Sequence, residues 1–372
     1  MTQPAQPAAP RVPRLTRGPV RTPDRVLVYG MEGVGKSSFA GGRRLPDGTA
    51  VPGAPRPIFL DLDNGSGALD VARAGDPNDP DNPVPSTWDE VIAFVRALQL
   101  PEYRGDRMTL VIDTADKLER QVIWPEVVRR YKPEKKDQAP PEKIGDIGFF
   151  KGYVQSLDIW AEFLRELDWL QARTKMGVIL VAHATKVKVE NLRGSDFSTY
   201  EPDLYSGRNS SAAELLREWA DCVFFAGFDD DARREAGDSK KAAGGVPKLG
   251  KGFTTGDRLI WTVHQGWAMA KNRYCLQETM PLEYSAYADG VAAYFSGAWR
   301  DRPDDPESLR RQVESAADEV RAWPETPADW YGSQFGPHLV RAGLEPAALR
   351  KLLEQLQAKV ARRAEALRPS GG

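Results

Sequence analysis

Residues 26–37 read Val-Leu-Val-Tyr-Gly-Met-Glu-Gly-Val-Gly-Lys-Ser, and this stretch constrains the chain more than any other. Four strand-forming apolar residues run directly into Gly30–Ser37, whose pattern is G-x-x-x-x-G-K-S. A continuous apolar run of this kind suits a strand buried on both faces, as in a parallel sheet covered by helices. The glycines let the backbone curl so that successive N–H groups point inward, and Ser37-Ser38-Phe39-Ala40 starts a helix. Such a loop cradles phosphate. Lys36 supplies a positive charge for β- and γ-phosphates, and the Ser37 hydroxyl can ligate Mg²⁺. Gly30, Met31, Glu32, Gly33, Val34, Gly35, Lys36, Ser37 and Ser38 are therefore the candidate ATP-binding residues, with the helix dipole adding to the cradle.

The remaining pattern agrees with an α/β chain. Ile58–Leu62, Leu110–Ile112, Val178–Ala182 and Cys222–Ala226 are short apolar runs like Val26–Tyr29. Between them lie helical periodicities over Trp88–Leu98 and Val154–Ala172. In the second, Leu157, Trp160, Ala161, Leu164, Leu167 and Trp169–Leu170 form an apolar face. Strands alternating with helices predict a mainly parallel central sheet flanked by helices. A β-hairpin is predicted near the end of this core, with Leu259, Trp261 and Val263 alternating, Gln265-Gly266 turning, and Trp267–Ala270 returning. The charged, Gly-rich stretch from Ala226 to Lys251 reads as a mobile loop.

The ends differ in composition. Residues 1–24 are rich in Pro and Ala, carry Arg11, Arg14, Arg17 and Arg21, and read as a disordered basic arm. Residues 25–299 form the predicted core. After Trp299 the run Asp-Arg-Pro-Asp-Asp-Pro-Glu-Ser breaks the pattern, and helices over Glu307–Ala322 and Pro346–Leu367 make residues 300–372 a small helical module.

Two cysteines, Cys222 and Cys275, are too few for a disulfide framework and lie far from any zinc spacing, so they read as buried small hydrophobes. A formal net charge of −2 gives no global attraction to nucleic acid, so any such contact must be local. No run approaches the roughly eighteen apolar residues of a membrane span, and the N-terminus lacks a signal pattern. The chain is expected to stay in the cytoplasm.

A phosphate loop needs a carboxylate on a neighbouring strand to hold the magnesium through water, and Thr109–Asp113 is an apolar strand ending in one. Asp113 and Ser37 are the candidate metal residues. In Ile58-Phe59-Leu60-Asp61-Leu62-Asp63-Asn64-Gly65 the alternation puts Asp61 and Asp63 on one side. Asp63 can orient the attacking water, or it can cap a turn. His183, after Ala182, falls where ligands collect in such sheets and can reach the γ-phosphate or the water; its plain alternative is structural.

Taken together these residues resemble RecA-type ATPases, in particular the phage-encoded ATP-binding proteins of that superfamily that assist single-strand annealing and recombination. The matching pieces are Tyr29-Gly30 through Ser37, Asp61-Leu62-Asp63-Asn64-Gly65, Asp113, Ala182-His183 and Lys271-Asn272-Arg273. Pro202-Asp203-Leu204 and Ala220-Asp221-Cys222-Val223 add to them, and the likeness spans roughly residues 25–285. It implies a RecA-like P-loop core that hydrolyses ATP with Mg²⁺, in the host cytoplasm if phage-encoded. Asp63 falls where the family carries a catalytic glutamate one methylene longer. Lys271 and Arg273 fall where the family sends cationic fingers into a neighbouring subunit, which implies a homo-oligomer. Without the family, they read as solvated basic residues.

By the same resemblance, single-stranded DNA would meet two loops. One carries Arg129, Arg130, Lys132, Lys135, Lys136 and Lys143. The other carries Lys186, Lys188, Arg193 and Arg208, with Phe197, Tyr200 and Tyr205 interleaved. Acids interrupt both, and a solvated loop is the competing reading. Arg350, Lys351, Lys359, Arg362 and Arg363 form a basic face on the last helix. Three other functions stay open: an ATP-dependent switch or scaffold with little turnover, a helicase-type motor, and a small-molecule kinase.

Overall fold

The computed structural model describes residues 17–133, 139–189, 196–207, 210–231, 253–297, 306–327, 329–331, 335–342 and 346–366. The core strands are β1 (Arg25–Gly30), β2 (Arg43–Arg44), β3 (Ala50–Val51), β4 (Pro57–Asp61), β5 (Ala72–Arg73) and β6 (Thr109–Asp113). They continue with β7 (Gly177–Val189), β8 (Phe197–Pro202), β9 (Cys222–Asp231), β10 (Phe253–Trp261), β11 (Lys271–Asn272) and β12 (Thr279–Pro281). Among the described residues the main sheet runs β12-β10-β9-β1-β7-β6-β4-β5, with β11 beside β9 and β8 beside β7, while β2 and β3 pair apart.

All five apolar runs are strands, and β1 lies between β7 and β9, parallel to both. Parallel pairing continues through β6, β4 and β5, so the carboxyl ends of β1, β4, β6 and β7 open on one edge. Two layers cover the sheet. One face meets Trp160, Phe163, Leu164, Leu167 and Leu170 of the helix Lys151–Thr174, together with Val91 and Val95 of the helix Trp88–Ala97. The other meets Phe39, Tyr287 and Val291. Side chains of this size each contribute about 1.5–3 kcal/mol when fully buried. Trp169 leaves the predicted apolar face and is exposed, since the helix has turned it past the sheet. The helix Trp88–Ala97 starts at a capping box, in which Thr87 and Glu90 each accept a hydrogen bond from the other's backbone N–H.

Three expectations change. The predicted hairpin does not form as drawn: β10 pairs antiparallel with β9 and β12, and residues 265–268 make only a tight turn bridged between Gln265 and Ala268. A strand does run through Leu259–Trp261, but its partners are β9 and β12, and the residues buried there are Ile260 and Thr262, while Val263 is exposed. Next, β9 runs on to Asp231, so the first residues of the expected mobile loop are strand, while residues 232–252 lie outside the described residues. Finally, Cys222 is buried but Cys275 is exposed.

The C-terminal helices appear as Pro306–Arg321, Gly336–Ala342 and Pro346–Ala366. They enclose their own apolar cluster, including Leu309, Val313, Val320, Trp330, Phe335 and Leu349. Of the basic face expected on the last helix, Lys359 lies 4.9 Å from the Trp330 ring and Arg363 4.4 Å from Trp323, so both cover aromatic surface in this small core. Arg11 and Arg14 of the N-terminal arm lie outside the described residues.

Candidate nucleotide site

The loop Gly30–Ser37 leaves the end of β1 and enters the helix Lys36–Gly41. Gly30 is required by contact: a Cβ there would sit 2.1 Å from the Ala226 carbonyl oxygen on β9. Gly35, with φ 104°, takes the left-handed conformation that turns the chain into the helix. Lys36 is 6% exposed and its Nζ donates to the carbonyls of Gly30 at 3.0 Å and Met31 at 2.9 Å. Burial lowers its pKa, opposed by the nearby carboxylates of Asp113 and Asp116.

Around Lys36 opens a cleft of about 820 Å³. The loop forms one wall; Asp63, Gly65, Asp113, Asp116, Lys117, Arg120 and His183 form the others. Every candidate residue from Met31 to Ser38 lines it except Val34, which is buried in the core. Asp113, at the end of β6, is almost wholly buried. Burial pushes its carboxyl up to about 6; the Ser37 hydroxyl draws it down, and Asp61 adds to the rise. Its Oδ2 has no hydrogen-bond partner. A Cβ on Gly65 would lie 3.8 Å from Ser37 Oγ and 4.0 Å from Asp113 Oδ2, so both oxygens border the same small space. A hydroxyl and an unpartnered carboxylate oxygen are hard oxygen donors of the kind Mg²⁺ takes, and a phosphate held on the loop would bring oxygens of its own to the same space. Among the described residues no cluster of three or more His, Cys, Asp or Glu makes a self-contained metal site, so the ion would depend on the nucleotide for its other ligands.

Asp61 and Asp63 diverge, which the alternation did not foresee. Asp61 accepts from the backbone N–H groups of Gly65 (3.1 Å) and Ser66 (2.9 Å) and from the Ser66 hydroxyl, and so folds the loop after β4. Asp63 faces the cleft, with Oδ1 3.2 Å from Lys117 Nζ and Oδ2 3.9 Å from His183 Nε2. His183 is not at a strand end, because β7 continues to Val189 and pairs antiparallel with β8. It is level with Gly30 in the register, however, so it stands beside the loop as expected.

Sequence reasoning missed Asp116, which organises this wall. Its Oδ1 accepts the His183 backbone N–H at 2.9 Å, and its Oδ2 is 3.0 Å from His183 Nδ1. The hydrogen bond to Asp116 raises the His183 pKa, against burial. For Asp116 burial works upward, but the two His183 bonds win and hold its carboxyl below the usual range. Deeper still, Glu119 is fully buried and pushed up to about 7 by burial. It accepts from Trp160 Nε1 at 2.9 Å and from the Tyr205 N–H at 2.8 Å, tying the helix Lys151–Thr174 to the segment after β8. The one sequence signal for these acids was their spacing after Asp113, at three and six residues, on the short helical turns that follow β6.

Lys271 and Arg273 are not brought to the phosphate loop of their own chain. The Lys271 Nζ donates to the carbonyls of Arg217 (2.7 Å), Glu218 (3.0 Å) and Ala220 (2.7 Å), closing the end of the helix Ala212–Trp219. Arg273 Nη1 pairs with Asp221 at 2.9 Å. Several expected nucleic-acid contacts are also engaged internally. Glu126 holds Arg129 and Arg130, Tyr205 stacks on Tyr153, and Tyr200 stacks on Phe225. Lys135, Lys136, Arg193 and Arg208 lie outside the described residues.

A phosphate-cradling loop at the carboxyl edge of a mainly parallel sheet, with a buried acid at the end of a strand two places away, defines a P-loop nucleotide-binding domain of the ATPase type. The family model described as "AAA domain" matches residues 22–274, and the chain belongs to that family. No curated protein matches the chain. Among the described residues no helix is long and apolar enough to cross a membrane.

Proposed function

We propose that the chain binds ATP with Mg²⁺ on the Gly30–Ser37 loop, hydrolyses it, and in the cytoplasm couples that cycle to single-stranded DNA in recombination or strand annealing. The observation that carries the ATPase part is the unpartnered Asp113 Oδ2, buried beside Ser37 at the floor of the cleft. In this reading Lys36 exchanges its two carbonyl partners for β- and γ-phosphate oxygens. Ser37 and Asp113 hold the ion, directly and through water. Asp63 orients the attacking water as general base, and His183, fixed by Asp116, donates toward the γ-phosphate or that water.

The DNA part rests on the family resemblance. Lys186 and Lys188 lie on β7, and β8 begins at Phe197, which is 41% exposed. The register sets Phe197 against Val189, so the ring and the two lysines point to opposite faces of this ribbon. Lys188 is paired with Asp196 at 3.0 Å. A strand of DNA would meet cations on one face and a stacking ring on the other. The active form in this reading is a homo-oligomer. Of the two expected fingers, Arg273, whose side chain is 53% exposed, is the one presented to a neighbour. Lys271 stays on its helix end.

A second reading, an ATP-dependent switch with little turnover, is favoured by one contact. The Lys117 ammonium already neutralises Asp63, the shorter stand-in for a catalytic glutamate. Phosphate release measured with and without single-stranded DNA separates the two. Stimulation by DNA, lost at high salt, supports the first; tight ATP binding with no release in either condition supports the second.

A further inference from the structure

The phosphate loop has two flanks. From β1, the strand order places β7, β6 and β4 on one side and β9 and β10 on the other. The first flank supplies Asp63, Asp113, Asp116 and His183. The second supplies Arg258 on β10, opposite Phe228 of β9 and so two residues beyond Ala226, which is level with Gly30. This arginine reaches back over β9 to the loop. A Cβ added at Gly35 would lie 2.9 Å from Arg258 Nη1 and 3.8 Å from its Cδ, so the guanidinium occupies the space that the glycine leaves open.

Two other arginines nearby are paired, Arg43 with Glu283 at 3.3 Å and Arg120 with Asp203 at 2.9 Å. Arg258 is half-buried, and among the described residues its side chain has neither a hydrogen bond nor an ion pair. A guanidinium partly withdrawn from water with no anion in return is a net cost to the fold, and it is a ready donor fork for a ligand's anion. It also borders a second cleft of about 660 Å³, whose lining includes Arg43, Arg44 and Leu259 together with the carboxylates of Asp229, Asp257 and Glu283. Cations, carboxylates and apolar surface therefore meet beside Arg258, a lining that can take a phosphate, ribose hydroxyls and the flat face of a base.

Resting on the phosphate-loop reading above, we infer that Arg258 binds the α-phosphate of the nucleotide and that the adjoining cleft receives its ribose and base. The acids leave room for the terminal phosphate only where the metal ion screens them, which directs the rest of a nucleoside triphosphate toward β10. There Arg258 offers charge-assisted hydrogen bonds to a phosphate present in ATP and ADP alike.

The test is calorimetric titration of the full chain with Mg·ATP and Mg·ADP, using wild type, Arg258→Ala and Arg258→Lys, with thermal melting alongside. Arg258→Ala is expected to weaken both nucleotides equally, by roughly tenfold to hundredfold, leaving their affinity ratio unchanged. Arg258→Lys is expected to recover part of the loss. Unchanged ADP affinity in Arg258→Ala overturns the inference. So does a loss confined to ATP, which assigns the arginine to the γ-phosphate. A loss accompanied by a lowered melting temperature and no recovery with lysine also overturns it, in favour of a structural role. A wild type that binds neither nucleotide removes the phosphate-loop reading itself, and this inference with it.

Discussion

Lys36 and Lys271 make the same kind of bond and serve different ends. Each ammonium group donates to main-chain carbonyls, and burial lowers the pKa of each. Lys36 sits on two carbonyls of a curled loop, faces an open cleft, and has carboxylates as its nearest charges. Lys271 sits on three carbonyls at the negative end of a helix dipole, and its strongest charge neighbour is the like-charged Arg273. A lysine's role is thus set by what opens onto its ammonium group. Where a cleft and acids converge, the carbonyls act as placeholders for a ligand; where a helix ends, they are the purpose.

That contrast can be broken in order of effect. Lys36→Ala should cut Mg·ATP affinity by roughly a hundredfold or more while leaving the melting temperature near wild type, checked by calorimetry and thermal denaturation. If stability collapses with binding, Lys36 is structural like Lys271. Asp113→Asn should weaken the magnesium-dependent part of nucleotide affinity by roughly tenfold, seen by titrating with and without Mg²⁺. An equal loss in both conditions would take Asp113 away from the ion.

Lys271→Ala should show the reverse of Lys36→Ala. Losing three helix-end hydrogen bonds should lower stability by about 1–3 kcal/mol in chemical denaturation, with ADP affinity unchanged. The smallest effect concerns pH. The folded-state pKa of His183 is raised above 6.5, so the stability from its bond to Asp116 is fully present below 6.5 and is lost as pH rises through the raised value. The stability difference between wild type and His183→Gln should therefore be largest below pH 6.5 and shrink as the pH rises above it. A difference that is flat across this window would mean that the pair does not titrate.

The contrast also explains what could be read in the sequence. The strands β1, β4, β6, β7 and β9 were legible because strands buried on both faces appear as unbroken apolar runs bounded by Gly or Asp. The phosphate loop was legible because its chemistry depends on a fixed spacing of glycines, Lys36 and Ser37. Asp116 and Arg258 were not. Asp116 acts through a histidine 67 positions away, and Arg258 beside a glycine in the loop that follows a strand two places across the sheet. Neither has a local pattern, because only strand order brings the partners together. The hairpin expectation failed for the same reason, since alternation identifies a strand but not the strand it pairs with.

In the proposed ATP complex the main-chain amides of residues 30–37 hold the phosphates. Hydrogen exchange of those amides, followed with and without Mg·ATP, tests it most directly. The account predicts slowed exchange at Gly33–Ser37 in the wild type, and none of that slowing in Lys36→Ala. Bound ATP that leaves those amides unprotected and shields another segment would contradict it.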